Sequence, residues 1–253
     1  IQCLEQLESS YEITLKFILV GEENLETVHE PSLYNIYCLQ DVNRIAPFYN
    51  IDFQAHEYPA KELVEKANSI LTAAKSYDLI EIANKVNSAL WEGDIGTLDK
   101  LSSTYFATKA EVKENLIQGN KIRDAKGYYF GSAFYYEKEL YWGVDRLPYL
   151  EERLAELGAK KAHEIQNICP LELKAPIKFT SDKKVNLYYY PSLNSPYTFV
   201  STKRVRQMRE DYPINLITKP VLPMLMRMMT IPGFKAKYII SDAAREGRRH
   251  NHE

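Results

Sequence analysis

The chain has 253 residues, 45% of them hydrophobic and 26% charged, enough apolar material for one large globular domain or two. A net charge of −2 and a pI near 6.3 argue against nucleic acid as a general partner, and no apolar run approaches the ~18 residues of a membrane span. The three cysteines, Cys3, Cys38 and Cys169, form no CxxC, so neither a dithiol redox pair nor a disulfide framework is indicated.

Residues 4–10 read as the end of a helix. Residues 13–20 alternate apolar side chains with Thr14 and Lys16, then close up as Phe17, Ile18, Leu19 and Val20; this predicts a strand. An acidic loop covers 21–31. Residues 34–49 are helical, with Tyr37, Leu39, Val42, Ile45 and Ala46 on one face and Asn50 at the end. A long helical region follows Tyr58 and Pro59. Leu63, Val64, Ala67, Ile70, Leu71 and Ala74 form one stripe, and Leu79, Ile82, Ala83, Val86, Leu90 and Trp91 another. Asp94 opens a shorter helix. Thr108, with Glu111 three residues on, has the spacing of a capping box, and Arg123 to Gly127 closes the block.

From Tyr128 the period switches. Tyr129, Gly131, Phe134 and Tyr136 alternate as a strand, Glu137 and Lys138 form a turn, and Leu140 to Trp142 begins a second strand. Gly143, Val144, Asp145 and Arg146 make a loop, and Pro148 sits in the first turn of a helix running to Leu157. Trp142 reads as core, and most of the 19 tyrosines read as structural, since Tyr packs well in strands. Residues 159–183, with Pro170 and Pro176, read as a linker.

Residues 185–199 organise what remains. An apolar run of Val185, Leu187, Tyr188, Tyr189 and Tyr190 stops at Pro191, Ser192, Asn194, Ser195 and Pro196. Phe199, Val200, Val205 and Met208 then return at helical spacing, so strand, tight loop and helix is the reading. Ser195 stands where a helix N-cap is expected, and the same place suits a hydroxyl that holds an anion; position alone leaves both roles open. Pro223 to Met229 reads as an ordinary helix on the sheet, or as an adaptable Met-lined pocket. Arg245, Arg248 and Arg249 read as a solvated face. The five histidines, His29, His56, His163, His250 and His252, show no ligand spacing, so no metal site is expected.

The two ends of the chain align without a gap at a shift of 201 residues. Leu4, Gln6, Leu7, Tyr11, Ile13, Leu15 and Val20 fall on Val205, Gln207, Met208, Tyr212, Ile214, Leu216 and Val221. Tyr37, Asp41 and Arg44 fall on Tyr238, Asp242 and Arg245. This predicts an internal repeat of domain length. A start at Ile1, and the mapping of Ser195 to a position before residue 1 (195 − 201 = −6), lead us to expect a fragment that opens part-way into one repeat and stops part-way into another.

The stretch from Gly127 to Leu154, including YWGVDRL, resembles the C-terminal hairpin and helix of 2-hydroxychromene-2-carboxylate isomerases and kappa-class glutathione transferases, in the DsbA-like branch of thioredoxin folds. NLYYYPSLNSPYTF resembles the same family's first strand and SPY loop, where serine replaces the redox cysteine. Two such repeats in tandem look like duplicated DsbA-family proteins. The implied fold class is α/β, a thioredoxin-like (DsbA-type) sheet with an inserted helical subdomain, in two incomplete tandem repeats. The implied domains are 1–158, lacking its first strand and carrying a helical insertion at about 60–125; a linker over 159–183; and 184–253, the start of a second repeat.

The resemblance also implies a chemistry. Ser195 matches the serine that hydrogen-bonds the glutathione sulfur and favours its thiolate, with Pro196 beside it in the same glutathione site. Asp145 and the Val144 backbone match the loop that receives the γ-glutamyl end, and Ser132 matches the residue before the family's cis-proline. Here Ala133 replaces that proline. A cis bond before a non-proline costs ~2.5–4 kcal/mol, so a trans bond is expected. Asp145 reads equally as a cap on the following helix.

The implied activity is glutathione-dependent isomerisation or transfer on a small aromatic or hydrophobic electrophile, with glutathione as cosubstrate. The alternatives are a non-catalytic thioredoxin-like binding module or a DsbA-family thiol–disulfide oxidoreductase. A small-molecule substrate is the expected partner, with no nucleic acid and no membrane, a homodimer left open and a cytoplasmic location. If the first repeat lacks its central strand, residues 185–190 are candidates to insert beside 129–136, bringing Ser195 to Ser132 and Asp145. Two separate partial domains are the alternative.

Overall fold

The computed structural model describes residues 1, 3–21, 28–53, 55–162, 167–169 and 183–250. The chain is mixed α/β and divides into two compact units, Ile1–Leu173 and Lys174–Glu253.

The first unit is built mostly of helices. Helix α1 (Leu4–Ser10) is followed by α2 (Pro31–Ile45), which tightens into a 3₁₀ turn, Ala46–Tyr49. Asn50 ends that turn in the left-handed region at φ 54°, a conformation asparagine tolerates. Helices α3 (Lys61–Ala73), α4 (Leu79–Glu92) and α5 (Ile95–Thr104) pack together. Their predicted stripes meet, and Ala67, Ile70, Ile82, Val86, Ala89 and Leu98 form one buried core. The local signals act as expected. Gly93 closes α4 at φ 69°, Asp94 caps α5 by accepting from the Thr97 amide at 3.0 Å, and Thr108 with Glu111 forms a complete capping box on α6 (Lys109–Ala125).

Strands β1 (Ala133–Tyr136) and β2 (Glu139–Trp142) pair antiparallel, with Ala133 opposite Trp142. Glu137 and Lys138 both have positive φ, at 43° and 74°, as a two-residue type I′ hairpin requires. Helix α7 (Leu147–Glu156) lays Leu147, Leu150 and Leu154 against Leu7, Tyr11 and Tyr141, giving a second core.

Three expectations are corrected here. Residues 13–20 lie in no ladder among the described residues, because no neighbouring backbone is positioned to pair with them. They run instead along α6. The Gly21 amide donates to Asn120 Oδ1 at 2.9 Å, and a Cβ on Gly119 would fall 1.8 Å from the Leu19 carbonyl oxygen. Residues 129–132 are outside β1; Tyr128, Tyr129 and Phe130 are instead buried in an aromatic cluster. Trp142 is not core: it is 37% exposed and stacks on Phe130, with ring centroids 4.9 Å apart.

The predicted linker begins as anchored chain. Glu12 N–H donates to the Ala159 carbonyl at 2.7 Å and Lys161 N–H to the Ser10 carbonyl at 3.0 Å. Residues 163–166 and 170–182, with His163, Pro170 and Pro176, lie outside the described residues, as does His252.

The second unit is a β-α-β arrangement followed by a helix. Strand β3 (Val185–Tyr189) and strand β4 (Ile214–Thr218) are parallel, in register from Val185 opposite Ile214 to Tyr189 opposite Thr218, and α8 (Pro196–Asp211) connects them. A parallel pair needs a crossover of a dozen or more residues, and α8 supplies it. The Met-rich stretch forms one short 3₁₀ turn, Met224–Arg227, and α9 (Gly233–Arg249) completes the unit. Among the described strands β3 pairs with β4, within the second unit itself. No helix among the described residues is long and apolar enough to cross a membrane.

Candidate functional site

The loop carrying Ser195 is set by strand pairing continued past β3. Lys219 N–H donates to the Tyr189 carbonyl at 2.8 Å and Val221 N–H to the Pro191 carbonyl at 2.9 Å. The chain then turns tightly: the Ser195 amide donates to the Ser192 carbonyl at 2.9 Å, and Thr198 Oγ1 accepts from the Ser192 amide at 3.3 Å. Pro196 takes the first helical position, where its missing N–H costs nothing. Ser195 is the N-cap residue, with extended backbone at φ −94° and ψ 124°, yet its hydroxyl makes no cap hydrogen bond. A half-buried hydroxyl is thus left at the positive end of a 16-residue helix and the carboxyl end of a parallel strand.

Beneath that helix start lies a polar group that sequence reading noted only as a repeat position. Asp242 of α9 is 2% exposed and accepts from the Tyr197 hydroxyl at 2.8 Å and from Arg245 Nη1 at 3.2 Å. Arg245 is therefore not part of a solvated face. It is 11% exposed and tied to a buried carboxylate, while Arg248 is exposed. The signal was the spacing of Asp242 and Arg245, three residues apart on one helix face.

In the first unit, Ser132 and the Gly143–Asp145 loop come together at the open end of the hairpin. Gly143 N–H donates to the Ser132 carbonyl at 3.0 Å. Ser132 has φ 54° and is exposed; the bond before Ala133 is trans, as expected from its chemistry. Val144 packs on the second core, and its carbonyl accepts from Leu147 N–H at 3.3 Å. Asp145 Oδ2 pairs with Arg146 Nη1 at 2.7 Å. The N-cap residue of α7 is Arg146, so Asp145 does not hold the N-cap position.

The most buried polar group of this unit was not singled out from sequence. Glu151 is fully buried and accepts three hydrogen bonds: Tyr11 Oη at 3.1 Å and Ile168 N at 2.8 Å on Oε1, and Cys169 N at 3.3 Å on Oε2. The available signal was its place between Leu147 and Leu154, on the apolar face of α7. Burial, with Glu151 adjacent, pushes the Tyr11 phenol well above its ordinary value; burial, with Asp145 adjacent, pushes Tyr49 up to about 12.

Cys3, Cys38 and Cys169 are all free thiols. Cys3 packs against the core that holds Cys169, and interaction with Cys169 brings the Cys3 thiol down to about 7, while interaction with Cys3 together with burial pushes Cys169 up. Spacing cannot reveal that Cys3 and Cys169 share a core, because only tertiary folding brings them there.

Two open clefts lie elsewhere in the first unit. One of about 800 Å³ is lined by residues including Arg44, Asp52, Phe53 and His56; another of about 420 Å³ is lined by residues including Glu8, Phe17, Tyr77 and Ile80. None of the sequence-predicted site residues lines either. Among the described residues no group of three or more His, Cys, Asp and Glu side chains is placed to hold a metal ion.

The chain matches no family model, no curated protein and no solved structure.

Proposed function

We propose that the chain is a tandem thioredoxin-like protein of the DsbA and isomerase type, acting with glutathione on a small aromatic or hydrophobic electrophile. The observation that carries this reading is the Ser195 hydroxyl, half-buried at the α8 N-terminus and making no cap hydrogen bond. In open α/β sheets, ligands bind beyond the carboxyl ends of the strands, where Ser195 stands. A hydroxyl there donates to a sulfur and, with the helix dipole, favours its thiolate. The shift of 201 residues supports the tandem reading. It sets α1 on residues 205–211, the last part of α8, residues 13–17 on β4, and Pro31 at the head of α2 on Pro232 at the head of α9. Ser132, Val144 and Asp145 would receive the peptide and γ-glutamyl parts of glutathione in the first repeat.

A second reading, a non-catalytic binding module, is favoured by that same loop. The Ser132 carbonyl already accepts from Gly143, and Asp145 is already paired with Arg146. Titrating the thiolate absorbance of glutathione with and without protein separates the two. The catalytic reading expects ionisation at lower pH with the native chain and a shift lost in Ser195→Ala. An unchanged curve, or one identical in the variant, leaves the binding module.

A further inference from the structure

Three ties converge on the loop and first turn of α8. Val221 N–H donates to the Pro191 carbonyl at 2.9 Å and fixes the loop's entry, and Thr198 Oγ1 accepts from the Ser192 amide at 3.3 Å and fixes its middle. The third tie comes from another helix. The Tyr197 hydroxyl donates to Asp242 Oδ2 of α9 at 2.8 Å, across 45 residues of sequence.

Asp242 divides its two oxygens. Oδ1 accepts from Arg245 Nη1 at 3.2 Å, one turn further along α9, so the carboxylate is held from its own helix while Oδ2 serves the neighbouring one. Asp242 is 2% exposed and the Arg245 side chain 11%, which shelters both bonds from competing water. A buried pair of this kind adds little net stability, because the cost of taking two charges out of water offsets their attraction. What it fixes is direction. Tyr197 is the second residue of α8, and Pro196 before it has no N–H. The first amide donor at the positive end of the helix therefore belongs to Tyr197, two residues from the Ser195 hydroxyl.

We propose that Tyr197, held by Asp242 and Arg245, is the positioning residue for Ser195. It fixes the first turn of α8 so that the Ser195 side chain and the leading amide of the helix face one bound anion, the sulfur of glutathione in the function proposed above, on which this inference rests. Tyr197 acts through the backbone of residues 195–197, which its phenol anchors to α9.

The test places a titratable probe at the site and needs no ligand. In Ser195→Cys the introduced thiol ionises below the ordinary cysteine value, because it stands at a helix N-terminus. Its ionisation is read in the whole folded chain from the pH dependence of alkylation, with peptide mass spectrometry separating it from Cys3, Cys38 and Cys169. Adding Tyr197→Phe, which removes one O–H and keeps the ring, should raise that ionisation pH by roughly 0.2–0.7, the equivalent of one helix-dipole interaction. Adding Tyr189→Phe instead should leave it in place, because the Tyr189 hydroxyl lies 3.4 Å from Ser201 Oγ, beyond the first turn of α8. A merely structural role for Tyr197 lowers the unfolding midpoint and leaves the thiol where it was. An ordinary value in Ser195→Cys itself, no rise on adding Tyr197→Phe, or an equal rise with Tyr189→Phe would each overturn the proposal. Glutathione is then titrated with Ser195 native, and its thiol should ionise with Tyr197→Phe at a pH between those found with the native chain and with Ser195→Ala. If the native chain leaves glutathione unchanged while Tyr197→Phe still shifts the introduced thiol, the glutathione reading fails and the role of Tyr197 stands.

Discussion

Replacing Glu151 by Gln tests the polar knot that holds α1, α7 and residues 168–169 together. The carboxyl group accepts from Tyr11, Ile168 and Cys169, with no exposure to water. A glutamine keeps one acceptor oxygen. Set at the Oε1 position, it retains the Tyr11 and Ile168 bonds and turns its NH₂ toward the Cys169 amide, donor against donor. One bond to a charged acceptor is lost and a buried donor is left unpaired, about 2–4 kcal/mol together. Tyr11→Phe removes a single O–H donor and leaves the buried ring in place, so it costs less, about 1–2 kcal/mol. Because the two residues touch, the double variant should fall short of additivity by about 0.5 kcal/mol or more. Urea unfolding gives the three free energies, and amide hydrogen exchange should show Ile168 and Cys169 losing protection in Glu151→Gln. A Glu151→Gln chain within ~0.5 kcal/mol of wild type, with those two amides still protected, would refute the assignment.

The remaining predictions concern single positions. Thr108→Ala should cost about 0.5–2 kcal/mol in urea unfolding because it dismantles a complete capping box, whereas Ser195→Ala, whose hydroxyl makes no cap bond, should stay within ~0.5 kcal/mol of wild type. Gly119→Ala, a change worth about 1 kcal/mol in an open helix, should instead lower the unfolding midpoint, because the new Cβ meets the Leu19 carbonyl; an unchanged or raised midpoint contradicts the packing of residues 13–20 on α6. Burial holds the Tyr49 phenol neutral up to about pH 12 in the folded chain, against an ordinary value of 10.0. Its contribution is therefore complete below pH 10 and lost as pH rises through about 12, so wild type should lose stability relative to Tyr49→Phe over that interval.

Wherever the physics is local, the sequence by itself determined the structure. The stripes of α3 and α4, the Asp94 and Thr108 caps, the Glu137–Lys138 turn and the strand–loop–helix around Ser195 follow from side-chain period, cap chemistry and φ preference within a few residues. Tertiary structure decided what depends on a distant partner. Residues 13–20 have a strand's pattern, but a strand exists only where another backbone supplies its hydrogen bonds, and none of the described strands does. Arg245 looks like surface until it pairs with Asp242, the buried carboxylate that Tyr197 also bonds, and Glu151 looks like an intrusion on an apolar face until Tyr11, Ile168 and Cys169 converge on it. Cys3 and Cys169 carry no mutual signal, because their meeting depends on packing α1, α7 and residues 167–169 into one core, and no local spacing encodes that.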